Sequence, residues 1–112
     1  LGPEPALGYS SLAEVKTVLQ IDLTETTWDS EITDCITSAD GLVDSILKYW
    51  GFSVPLSSPY PQNVKDASRY FAASYFRERR GPSSEVSVFY NRAMSFLNAY
   101  IQAEKGGTLK RV

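Results

Sequence analysis

Residues 32–50 read ITDCITSADGLVDSILKYW, and their spacing decides the fold. Ile32, Ile36, Ala39, Val43, Ile46 and Trp50 step by four, three, four, three and four, which draws one apolar stripe down an α-helix. A strand would alternate every second residue, and this stretch does not. Thr27 is the expected N-cap, Asp29 and Glu31 put negative charge in the first turn, and Gly51 stops the helix. Gly41 sits inside it at a cost of about 1 kcal/mol relative to Ala. A close packing partner opposite Gly41 is the expected reason for it.

Working outward, the same period recurs on both sides. Toward the start, Ser11-Leu12-Ala13-Glu14 has the form of a capping box, and Leu12, Val15 and Leu19 follow at helical spacing. A short helix is expected from Leu12 to Gln20. Residues 1–9, punctuated by Gly2, Pro3, Pro5 and Gly8, read as an extended arm. Toward the end, residues 51–60, GFSVPLSSPY, form a loop. Pro61 suits the first position of a third helix, whose stripe is Val64, Ala67, Phe71 and Tyr75, widened by Ser68 and Ala72. RERRGP at 77–82 combines basic residues, Gly81 and Pro82 into a stop signal. A fourth helix starts near Ser83 or Ser84. Val86, Phe89, Tyr90, Ala93, Phe96, Leu97, Tyr100 and Ile101 give it a wide apolar face, and Gly106 and Gly107 end it. The expected fold is therefore all-α: a small four-helix bundle of one short and three long helices. Residues 10–105 form the domain, with an N-terminal arm at 1–9 and a C-terminal tail at 106–112.

Composition narrows the chemistry. The chain has 112 residues, of which 43% are apolar, enough for one packed domain. It holds no His, which removes the usual general base near neutral pH, and one Cys, which forms no internal disulfide or Cys-based zinc site. No run of about 18 apolar residues offers a membrane span. The opening LGPEPALGYSS lacks the basic-then-apolar pattern of a secretory leader. Neither a nucleophile–base spacing nor a phosphate-cradling glycine loop is present, so no enzyme and no cofactor are expected. Cys35, beside the apolar stripe, is expected to pack as a small hydrophobe.

Charge is divided along the chain. Residues 1–56 carry a balance of −7 and residues 57–112 a balance of +5, for a net −2. Such a dipolar subunit suits contacts between the acidic face of one copy and the basic face of the next. The overall acidity opposes a free-standing duplex-DNA binder. Asp40 and Asp44, at i and i+4, read as a solvated acidic face, since two carboxylates do not fill a calcium shell. Arg77, Arg79 and Arg80 either complement the helix dipole or form a contact surface for acids or phosphates. Seven tyrosines and two tryptophans are many for so small a bundle, so some are expected to face a partner. In the tail, Leu109 and Val112 suit apolar pockets, and Lys110 and Arg111 suit acids.

The order of these features resembles the head–tail connector, or adaptor, proteins of tailed phages. SLAEVKTVLQID at 11–22 is similar to their opening helix, TTWDSEITDCITSADGLVDSIL at 26–47 to their second, VKDASRYFAASYFRERR at 64–80 to their third, and FYNRAMSFLNAYI at 89–101 to their last. The resemblance runs from Tyr9 to Ala103. It implies a structural virion protein of the neck, assembled in the host cytoplasm. It further implies a ring, of twelve copies in that family, beneath the portal protein at the capsid vertex. The ring extends the DNA channel without sequence-specific binding and offers a platform to a stopper or tail-completion protein. The family's C-terminal segment reaches the portal, which makes Leu109, Lys110, Arg111 and Val112 the portal-contact candidates. Arg77, Arg79 and Arg80 of one subunit are expected to meet Asp40 or Asp44 of the next. The alternative is a small helical regulatory or nucleic-acid-binding module.

Overall fold

A computed structural model describes residues 8–105. It contains four helices: α1 Leu12–Leu19, α2 Asp29–Tyr49, α3 Gln62–Glu78 and α4 Ser84–Lys105. No strand occurs among the described residues. Most of the expected arm, at 1–7, and the expected tail at 106–112, with the portal-contact candidates and the glycines expected to end α4, lie outside them.

Local chemistry sets most of the boundaries. The capping box at α1 is complete: the Ser11 hydroxyl accepts the Glu14 N–H, and the Glu14 carboxylate accepts the Ser11 N–H at 2.9 Å. Gln20, expected inside α1, instead caps its C-terminus in a left-handed conformation at φ 62°. Thr27 is not the N-cap of α2. Trp28 holds that position without a side-chain cap, and the Thr27 hydroxyl bonds to Glu25. Pro61 sits one residue before the first turn of α3, at its N-cap. Gly81 follows α3 at φ 105°, where a Cβ would be strained, and the chain reverses into α4.

Packing centres on α3. It lies between α2 and α4 and also carries α1. Its burial accordingly extends beyond one stripe: Val64, Asp66, Ala67, Ser68, Phe71, Ala72, Ala73, Ser74 and Phe76 are all buried. The small residues among them let neighbouring helices approach closely. The two helices on either side of α3 bury narrower faces. On α4 only Ala93, Leu97 and Ile101 are fully covered, and Tyr90, expected in the core, stays 40% exposed. On α2 the buried stripe ends on Leu47 rather than on Ile46 and Trp50. Successive steps of four residues carry the buried face round the helix, because a turn holds only 3.6.

The outcome is a flat slab rather than a round bundle. Its extents are 46 × 38 × 17 Å, and its radius of gyration is 14.4 Å. A compact domain of this size has a radius of about 13 Å. No helix of the described chain is long and apolar enough to cross a membrane.

Two connections act as core. Phe52, Val54 and Leu56 pack against the helices while Ser53, Pro55 and Ser57 between them face solvent, so the expected loop is an extended segment with a lining face. Tyr9, assigned to the arm by its glycine and proline neighbours, is 3% exposed. Its ring meets that of Tyr60 edge-on at 4.8 Å. An aromatic ring of that size removes more apolar surface from water than arm-like flexibility would return in entropy.

Candidate functional site

Four clusters hold the residues that the sequence analysis singled out, or that line a concavity. The first surrounds Asp40 and Asp44. These carboxylates do not form an open acidic face; both are half-buried and hold the start of the domain. Asp40 accepts the Tyr9 N–H at 3.3 Å and the Ser68 hydroxyl at 2.7 Å, and Ser68 in turn meets the Ser10 hydroxyl at 2.7 Å. Asp44 accepts the Tyr9 hydroxyl, which itself accepts the Leu56 N–H at 2.9 Å. Burial pushes the Asp40 carboxyl above the usual carboxylate range, against the pull of its hydrogen bonds from Ser68 and Tyr9. The same desolvation raises the Tyr9 phenol, and its bond to Asp44 adds to this. A Cβ at Gly8 would collide with the Asp40 carboxylate, so any larger residue there would have to displace that side chain.

The second cluster joins the end of α3 to the start of α2. Arg80 and Glu31 form a two-pronged ion pair, Nη1–Oε2 at 2.8 Å and Nη2–Oε1 at 2.7 Å. Arg80 also donates to the Phe76 carbonyl at 3.1 Å and lies over the rings of Phe76 and Trp28, 3.7 and 4.7 Å from their centroids. Arg79 approaches Glu31 at 3.5 Å. The hydrogen bond from Arg80 holds the Glu31 carboxyl below its usual range. Within the protomer, then, the acid that meets Arg79 and Arg80 is Glu31, whereas Asp40 and Asp44 serve Tyr9.

The third cluster is a groove of about 400 Å³ where the end of α1 meets α3 and α4. Arg69 and Arg77 from α3 and Arg92 from α4 line it, with Tyr70, Phe89 and Val18 as apolar wall. Arg77 donates to the Leu19 carbonyl at 3.1 Å and pairs with Glu85 at 3.0 Å. Arg69 pairs with Asp66 at 2.8 Å. Arg92 has no acidic partner among the described residues; its guanidinium lies 5.5 Å from the Tyr70 centroid, and that of Arg69 lies 5.6 Å away. Tyr70 is held in place by stacking on Phe96 at 5.8 Å. The groove is thus a cationic pocket with an aromatic wall in a chain of net charge −2. Of its charged residues only Arg77 was among the sequence candidates. The signal for the others was present: Tyr70 and Arg77 are seven apart, and Glu85, Phe89 and Arg92 step by four and three.

The fourth cluster is the exposed aromatic set. Tyr49 is 82% exposed and meets Trp50 edge-on at the end of α2, and Trp28 and Tyr90 are also exposed. Cys35 is buried, as its place beside the stripe implied, and burial raises its thiol. No three acid or thiol side chains gather as a metal site among the described residues. Comparisons of the chain with protein-family models, with curated proteins and with solved structures return no match.

Proposed function

We propose that the protein is a head–tail adaptor of a tailed phage particle: one subunit of a ring seated under the portal, prolonging the DNA channel and presenting a platform to the stopper or tail-completion protein. In this reading its work is assembly, and no bond is made or broken. The observation that carries it is the agreement of two features. The helical segments that resemble the adaptor family are the ones that form α1 to α4. Together they make a slab only 17 Å thick, with aromatic side chains exposed at both ends of α2 and on α4. A thin plate with uncovered aromatic rings suits a subunit that is completed by its neighbours. The division of charge along the chain supports contacts of the same kind.

The neck of the intact particle, or the protein mixed with its portal, is to be imaged by electron microscopy. A ring coaxial with the portal is the expected result. A protein found singly in the particle, or absent from the neck, overturns the proposal. The regulatory or nucleic-acid-binding alternative has one observation in its favour, the cluster of Arg69, Arg77 and Arg92 against Tyr70. It predicts salt-sensitive binding of an oligonucleotide by the isolated protein.

A further inference from the structure

The groove between α1, α3 and α4 is followed along the chain, just past its Gln20, by a segment of opposite chemistry. Gln20 lines the groove, and two residues later the chain enters the connection Asp22-Leu23-Thr24-Glu25. Here Leu23 is 58% exposed and stands between two exposed carboxylates. The connection is built, not slack. Lys16, only 3% exposed, donates to the carbonyls of Leu23 at 3.3 Å and Glu25 at 2.6 Å, and pairs with Asp29 at 2.7 Å. Asp22 accepts both the N–H and the hydroxyl of Thr24, at 2.8 and 2.7 Å. A knob held in this way meets a partner with little ordering cost.

Knob and groove match in character. The knob offers an aliphatic side chain flanked by acids. The groove offers an aromatic wall flanked by guanidiniums, and Arg92 among them has no acidic partner among the described residues. None of the four knob residues lines the groove of its own protomer. A second copy supplies the occupant, and every protomer carries both a knob and a groove. A single neighbour related by a two-fold axis satisfies both at once.

We infer that two copies of the free protein associate about a two-fold axis, each placing Leu23 in the other's groove with Asp22 and Glu25 against Arg69 and Arg92. This does not rest on the ring reading. A two-fold contact closes on itself, and a ring would use other faces of the slab.

Sedimentation velocity on the full chain, over a concentration series at low and high salt, tests it. The wild type is expected to show a dimer that weakens as salt rises. Arg92→Glu and Glu25→Lys, both on exposed side chains, are each expected to weaken association at least tenfold with the circular dichroism spectrum unchanged. The chain carrying both changes is expected to regain the dimer, because each partner then presents the swapped pair. Leu23→Ser is expected to weaken it without altering the salt dependence. A wild type that stays monomeric to about millimolar concentration overturns the inference. So does a dimer indifferent to Arg92→Glu and Glu25→Lys, or a double variant no better than either single one. Titration with inorganic phosphate and with a single-stranded oligonucleotide completes the set. Arg92-dependent binding of either by a monomeric wild type would assign the groove to that ligand instead.

Discussion

The hydroxyl of Tyr9 donates a hydrogen bond to Asp44 and accepts one from the Leu56 N–H, so one phenol ties the chain before α1 to α2 and to the segment before α3. Tyr9→Phe keeps the ring against Tyr60 and removes both bonds. It leaves the Leu56 N–H without its partner in a half-buried place and is expected to cost about 1–3 kcal/mol, read as a lower urea midpoint with an unchanged slope. Asp40 gives the same junction a pH dependence. Its proton is held more tightly in the folded chain than in the unfolded one. The stability it contributes is therefore fully present below the ordinary Asp value and is lost as pH rises through its raised value. Glu31 has the opposite sign: its contribution is present above the ordinary Glu value and is lost as pH falls through its depressed value. Urea midpoints taken from about pH 2.5 to 7 are expected to show the loss on the rising side disappear in Asp40→Asn and the loss on the acid side shrink in Glu31→Gln. Neither sign was legible in the sequence. There Asp40 and Asp44 read as solvated, because Tyr9, which returns to both on α2, is 31 and 35 residues away along the chain.

Among the elements, α2 was the most legible and also supplied a false expectation. Its existence and stop follow from spacing and Gly51 alone. The partner foreseen for Gly41 is missing among the described residues, none of which lies within 4 Å of a Cβ at that position. Gly41→Ala is accordingly expected to stabilise the isolated protein by up to about 1 kcal/mol, seen as a higher melting temperature. The flat arrangement was not legible either, because a helical stripe states how much of a helix is covered and not by which neighbour. The near-complete burial of α3 is a property of its place between two helices. Its small residues, Ala67, Ser68, Ala72, Ala73 and Ser74, were the available sign. The join between α3 and α2 depends on Arg80. Arg80→Ala removes the fork to Glu31 and both ring contacts, with an expected loss of about 1–2 kcal/mol once solvent screening of an exposed pair is allowed for. Arg80→Lys is expected to recover less than half of this in the same denaturation assay, because an ammonium cannot form the fork.

At the scale of the whole molecule, the resemblance to adaptor proteins and the charge division pointed to a subunit of an assembly, and the groove beside α1 stayed hidden. Its arginines lie on the consecutive helices α3 and α4 and meet only when these pack, and its remaining wall comes from the end of α1, far earlier in the chain. The tail carries the test of docking that belongs to this scale. Removal of residues 106–112 is expected to abolish binding to the portal while the helical circular dichroism persists; a truncated protein that binds undiminished would take the tail out of the proposed contact.

Because α2 and α4 each rest on α3 and depend little on one another, the molecule has two seams and no common keystone beyond that middle helix. A pull on the C-terminal end of α4 loads its seam with α3 together with the contacts of Tyr100 and Lys105 with Phe52. The outer helix would peel from the plate turn by turn, as a page lifts from a binding, while α1, α2 and α3 keep their grip. A load shared across neighbouring plates would instead act in shear along the helix axes, the direction in which interlocked side chains resist most.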